Sequence, residues 1–166
     1  MAKLAVVNAA IALTGVLALS ACSGQQPETA PTPEAKTLTI HPESGLEVTD
    51  VTVKQGDKTH VFAAELAITP QQQAMGLMFR RQLGPDEAML FPREPADIAS
   101  FWMKNTVIPL DIIFIGTDGR IMNIARETVP YSTESVVADG LTSAVLEIPG
   151  GRAAELGIEP GAQVSW

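Results

Sequence analysis

The residues of this chain best suited to chemistry fall in one stretch, "SFWMKNTVIPLDIIFIG" at 100–116, where Trp102, Lys104, Asn105 and Asp111 interrupt an apolar run. Read as a strand over 100–104 and its continuation, the stretch puts Phe101, Met103 and Asn105 on one face and Trp102 with Lys104 on the other. A flat indole beside an ammonium can grip a sugar, a peptide or a carboxylate. The alternative is a core Trp102 with the Lys104 stem running over it to water. Asp111 shares a face with Ile113 and Ile115, and a buried carboxylate without a partner is costly. Its candidate partners are Lys104, the Asn105 amide and the backbone N–H groups of the 105–109 turn. In that setting Asp111 either locks the turn, forming one knot with Lys104 and Asn105, or works as a general acid or base.

Arg80, Arg81 and Arg93 flank the same motifs. With Lys104 they could hold an anion through forked hydrogen bonds, or simply be solvated. The candidate ligand-binding set is therefore Arg80, Trp102, Lys104, Asn105 and Asp111. Asp111 is also the one catalytic candidate, with Glu65, Asp86 or Glu147 as a second carboxyl about 5 to 10 Å away across a pocket, as glycosidases require.

Other chemistries find little support. Cys22 is the single cysteine, so an internal disulfide, a Cys-based metal site and a catalytic thiol in the folded part are excluded. His41 and His60 are isolated, and no nucleophile elbow, Walker loop, zincin pair or dinucleotide fingerprint occurs. Met75 and Met78 have the softness for Cu(I), but methionine is as readily a filler of irregular cores. Gly150-Gly151, opening a short helix, could cradle an anion with free N–H groups. No cofactor and no metal are expected.

The elements that must position these residues are short. "LEVTDVTVK" (46–54) and "KTHVFAAELAI" (58–68) read as a hairpin, with Phe62, Ala64 and Leu66 the buried set. Thr69, Pro70 and Gln72 make a capping box for a helix over 70–77. A short strand at 88–91, strands at 100–104 and 110–116, and a hairpin through Thr117-Asp118-Gly119-Arg120 follow. The long polar stretch 127–143 is of the kind that is functional or mobile. A strand at 144–148, a helix at 151–156 and a strand at 163–166 close the chain. The pattern predicts a mainly β (β-rich α+β) single domain, a small partly closed antiparallel sheet or barrel of eight or nine strands with two short helices.

Ahead of that domain, residues 1–21 read as a secretory signal ending in Leu19-Ser20-Ala21-Cys22, which resembles a bacterial lipobox. Acylation of Cys22 would anchor the protein, and Ser23 beside it favours the outer membrane. Residues 22–39 form a Pro-rich tether, leaving 40–166 for the domain. The whole chain carries −8, and without the signal it has 10 basic against 19 acidic side chains, or −9. That balance excludes nucleic acid as a natural partner.

"GLMFR" at 76–80, "AMLF" at 88–91, "FWMKNTVIPLDIIFI" at 101–115 and "VLEIPGGRAAELGI" at 145–158 resemble the family known as domain of unknown function 192. The resemblance runs from Val48 to Trp166, with Ala88 where many relatives have Gly. It implies a compact β-rich fold, frequent export and no established activity. The functional expectation is a lipid-anchored periplasmic or cell-envelope binding or accessory protein with a small anionic or carbohydrate ligand, or an envelope protein partner. A paired-carboxylate envelope hydrolase or lyase, and a structural assembly protein, are the alternatives.

Overall fold

The computed structural model describes residues 39–166. The signal segment, Cys22 and all of the tether but Thr39 lie outside the described residues. Ten strands and two short helices follow in the order β1 (Thr39–Ile40), β2 (Glu47–Gln55), β3 (Lys58–Leu66), α1 (Pro70–Met75), β4 (Glu87–Asp97), β5 (Ser100–Phe101), β6 (Leu110–Gly116), β7 (Ile121–Ala125), β8 (Val136–Val137), β9 (Thr142–Pro149), α2 (Arg152–Leu156) and β10 (Gln163–Ser165). Eight strands make one open sheet, β1-β2-β3-β4-β9-β6-β7, with β10 against β2. A single bridge from Gln163 to Arg120 brings β10 to the β6–β7 turn. β5 and β8 pair separately.

The mainly β architecture is as expected, but the sheet is mixed. β3 and β4 run parallel because α1 carries the chain back before β4 begins. The capping box at Thr69 forms as read, with Gln72 Oε1 accepting from Thr69 N–H at 2.8 Å. Two sequence-based spans change. β4 is longer than 88–91 because it continues through Pro92 and Pro95, with a register shift between Pro92 and Asp97 where ladder bonding lapses. The strand expected over 100–104 stops at Phe101, since the Met103 carbonyl accepts from Thr106 N–H (3.0 Å) and Asn105 takes a left-handed conformation, φ 59°.

The central strands are buried on both faces. Alternate residues of β4, β6 and β9 enter two separate clusters. Leu90, Ile113, Ile115, Leu146 and Ile148 pack with Phe62, Val51 and Ala153 on one side. Met89, Phe91, Ile112, Phe114 and Val145 pack on the other, beneath Leu77, Ala99 and Met103. Phe101 fixes this second cover, edge-on to Phe91 at 5.1 Å and to Phe114 at 6.2 Å between ring centroids.

The β9–α2 corner is tight. A Cβ at Gly150 would lie 2.9 Å from Pro109 Cβ and 3.0 Å from the Pro109 carbonyl carbon, neither of which can swing aside. Gly150→Ala is expected to lose about 1–3 kcal/mol in urea unfolding, as overpacking does; a neutral result would show that the corner can relax.

Candidate functional site

Lys104, Asn105 and Asp111 of the 100–116 stretch go to three different places. Asp111 is wholly buried, and its carboxylate accepts three backbone hydrogen bonds: Oδ1 from Glu127 (2.7 Å) and Gly151 (3.0 Å), and Oδ2 from Ala153 (2.8 Å). The partners expected from sequence, Lys104, Asn105 and the 105–109 turn, are therefore corrected. The Gly150-Gly151 corner does cradle an anion with free N–H groups, and the anion is the protein's own Asp111. Asn105 directs its amide to Met78 Sδ at 3.7 Å. Lys104 is exposed, its Nζ 5.1 Å from the centroid of the Trp102 ring.

Trp102 is 48% exposed and borders two clefts. One, of about 270 Å³, lies between α1, β4 and the β5 segment, with Trp102, Phe101, Met75 and Arg93 in its walls. The other, also about 270 Å³, lies between Trp102 and the 125–136 segment. That long stretch contributes β8 and is pinned by backbone bonds, Ala138 N–H to the Ala99 carbonyl (2.9 Å) and Met103 N–H to the Ser132 carbonyl (2.9 Å).

Glu147 lines the first cleft. It stands on β9 opposite Met89 of β4 and Ile112 of β6, on the second apolar face, and is only 5% exposed. No described residue makes a hydrogen bond or ion pair with its carboxyl. Burial alone pushes its pKa from 4.5 up to about 8, so the group is mostly protonated at neutral pH. Glu65 makes an instructive contrast. It faces the same side, opposite Met89 on the next strand, roughly two strand spacings or about 10 Å from Glu147. Glu65 is paired, 2.9 Å from Arg80 Nη2, and Arg80 is itself buried.

Two further arginines are engaged as well. Arg93 meets Asp97 through two bonds of 2.9 Å, and Arg152 meets Asp86 at 2.9 Å. Of the proposed basic cluster, Arg80 and Arg93 are thus neutralised by protein carboxylates, while Arg81 and Lys104 have no carboxylate partner among the described residues. Asp111 and Glu147 cannot flank one pocket: Glu147 pairs in register with Ile112, so the neighbouring Asp111 points through the opposite face of the sheet. Among the described residues no group of three or more His, Cys, Asp or Glu could hold a metal ion.

Four non-glycine residues have positive φ: Phe79 (64°), Asn105 (59°), Glu127 (45°) and Tyr131 (63°). All lie on the loops around the clefts. Phe79 N–H donates to the Asn105 carbonyl (2.9 Å) and Tyr131 N–H to the Thr106 carbonyl (3.1 Å), joining three loops into one rim. Strain of this kind concentrates at functional sites.

Residues 51–166 match the family model of DUF192, Uncharacterized ACR. The chain belongs to the DUF192 family. Its fold resembles the crystal structure of a protein of unknown function from Novosphingobium aromaticivorans DSM 12444, at 56% identity and TM-score 0.77, covering 80% of this chain and 95% of that one. It also resembles a Sinorhizobium meliloti 1021 protein provisionally described as a transcription regulator, at 36% identity and TM-score 0.70, covering 72% and 94%. No curated protein matches. The four DUF192 motifs quoted above now have places: "GLMFR" supplies Leu77 and Arg80, "AMLF" the β4 floor, "FWMKNT" the cleft wall, and "VLEIPGG" both Glu147 and the corner that binds Asp111.

Two predictions test this division. Asp111→Asn puts an NH₂ where a carboxylate oxygen met a backbone N–H, and should cost roughly 2–4 kcal/mol in urea unfolding; a loss under 1 kcal/mol would remove Asp111 from the fold's supports. Glu147 binds its proton more tightly folded than unfolded, so its contribution is complete below about pH 4.5 and is lost as pH rises to about 8. Glu147→Gln should flatten the fall in stability over that window, a fall that for wild type approaches 1.4 kcal/mol per pH unit; identical pH profiles would refute the shifted carboxyl.

Proposed function

We propose that this DUF192 protein is an exported binding or accessory module of the cell envelope, anchored by lipid at Cys22 and holding a small ligand in the cleft above Glu147. The observation that carries the binding reading is the partnerless carboxyl itself. A buried polar group without a protein partner is costly unless something else serves it, and here it opens on a cleft walled by an exposed indole. A concave site with apolar walls and few polar groups is the ordinary form of a small-molecule site. The export reading rests on the 1–21 segment and the lipobox at Cys22. The net charge of −8 argues against carrying over a DNA-directed role from the Sinorhizobium relative.

An anionic ligand is the less favoured of the two expected classes, because Arg80 and Arg93 are spent on Glu65 and Asp97. The paired-carboxylate hydrolase is not favoured either, as Asp111 has its oxygens filled from the far face of the sheet.

A thermal-shift screen of the full chain against sugars, peptidoglycan fragments, carboxylates and amines tests the binding reading. A ligand at 100 times its Kd adds about 2.7 kcal/mol, which raises Tm by several degrees. Trp102→Ala should weaken that response while leaving the unliganded Tm within about 1 °C; a response unchanged in this variant would put the ligand elsewhere. For the anchor, wild type should partition with membranes and incorporate labelled palmitate, and Cys22→Ser should do neither. Membrane association that survives Cys22→Ser would refute lipid anchoring.

A further inference from the structure

The cleft's unspent hydrogen-bonding groups narrow the ligand class. Its lining includes the polar side chains of Gln73, Arg93, Ser100, Thr106 and Glu147. Gln73 and Arg93 are committed: the Gln73 amide donates to the Ala67 and Pro92 carbonyls (3.2 and 3.0 Å) and accepts from Arg93 Nη1 (3.2 Å). Arg93 gives its other side to Asp97. Ser100, Thr106 and Glu147 make no side-chain hydrogen bond with any described residue. What remains is three oxygen-bearing groups, each able to accept, beside a Trp face, a Phe edge and the Met75 thioether.

We propose that this cleft binds a primary alkylammonium, its three N–H donors taken by Glu147, Thr106 and Ser100 and its stem lying along Trp102 and Met75. The inference rests on the binding-module reading above and names its ligand. An ammonium has three donors and no acceptor, which matches a site of acceptors. Aromatic and thioether walls suit both the cation and its hydrocarbon stem, and Lys104 already shows that the Trp102 ring accepts an ammonium at 5.1 Å. Arg93 offers no net opposing charge because Asp97 neutralises it.

Binding such a cation requires Glu147 to release its proton, so affinity must rise with pH. The charged groups around Glu147 are few. β4 contributes Arg93 and β3 contributes Glu65, each in an ion pair. α1 has no charged residue, β6 places Ile112 opposite, and Lys104 stands over Trp102 outside the lining. His41, 3.6 Å from Glu65, is the other ionisable group on that side, and Glu147→Gln separates its effect from that of Glu147; an alkylammonium keeps its charge over the range.

The test is titration of the full chain, by calorimetry from pH 6 to 9, with n-pentylamine, 1-pentanol and N-acetylglucosamine, on wild type and Glu147→Gln. The expected result is n-pentylamine affinity rising about tenfold per pH unit up to about pH 8 and levelling beyond it, with no such rise for 1-pentanol and loss of amine binding in Glu147→Gln. Far-ultraviolet circular dichroism confirms that the variant is folded, and Trp102→Ala gives a second, surface-exposed variant that should weaken the amine at every pH. If N-acetylglucosamine binds through Glu147 and n-pentylamine does not, the ammonium inference is overturned while the binding module stands. If amine binding is independent of pH and of Glu147, the inference fails on its chemistry. If none of the three binds wild type at any pH, the ammonium inference falls, and the binding reading is decided by the thermal-shift screen.

Discussion

The fold turns on the Asp111 carboxylate. Its two oxygens gather N–H groups from Glu127, Gly151 and Ala153, segments separated in sequence by 16, 40 and 42 residues. They tie the start of β6 to the end of β7 and to the β9–α2 corner. Charge-assisted bonds to a buried carboxylate are among the stronger polar contacts in a protein, and here each one also satisfies a backbone donor that no strand or helix could serve. Gly151, left-handed at φ 82°, aims its N–H inward, and Gly150 leaves room for Pro109. With that corner fixed, β9 lies between β4 and β6, and Glu147 is held on the opposite face.

The sheet therefore handles three buried carboxyls by three different means. Asp111 is solvated by backbone dipoles and Glu65 by the Arg80 guanidinium. Glu147 has neither, and is tolerated in its apolar surroundings because it can keep its proton. It lies beside a cleft, and glutamine would fill the same space with no ionisation and no cost above pH 8.

The architecture was legible because it rests on local signals: alternation in Phe62-x-Ala64-x-Leu66, the capping box at Thr69, and Asp118-Gly119 between two apolar runs. Departures arose where non-local contacts overrode local pattern. The apolar run reads as a strand over 88–91 only, yet β4 pairs with β9 again at Asp97 after a register shift. The run 100–104 alternates like a strand, yet Ser132 and Thr106 capture its backbone and turn it. The burial of Asp111 was readable from its apolar neighbours. Its partners were not, since nothing local announces that N–H groups about 40 residues downstream will arrive. Glu147 carried a readable signal, a carboxyl inside "VLEIP" in a strand apolar on both faces, but its lack of a partner is a property of the assembled sheet.

The rim shows what the fold gives up for that site. The chain has eight aromatic residues, and four of them, Phe79, Trp102, Tyr131 and Trp166, are exposed. Three of these sit on the loops around the clefts, and two of the three, Phe79 and Tyr131, hold left-handed backbones that a side chain of their size disfavours by about 1 kcal/mol or more each. A chain selected for stability alone would bury such side chains and place glycine at those turns. The bonds from Phe79 to Asn105 and from Tyr131 to Thr106 instead lock the strained turns together. The loops are thus set in place by the chain's own backbone bonds, and under the proposed binding role ordering them would add nothing to the cost of filling a cleft of about 270 Å³.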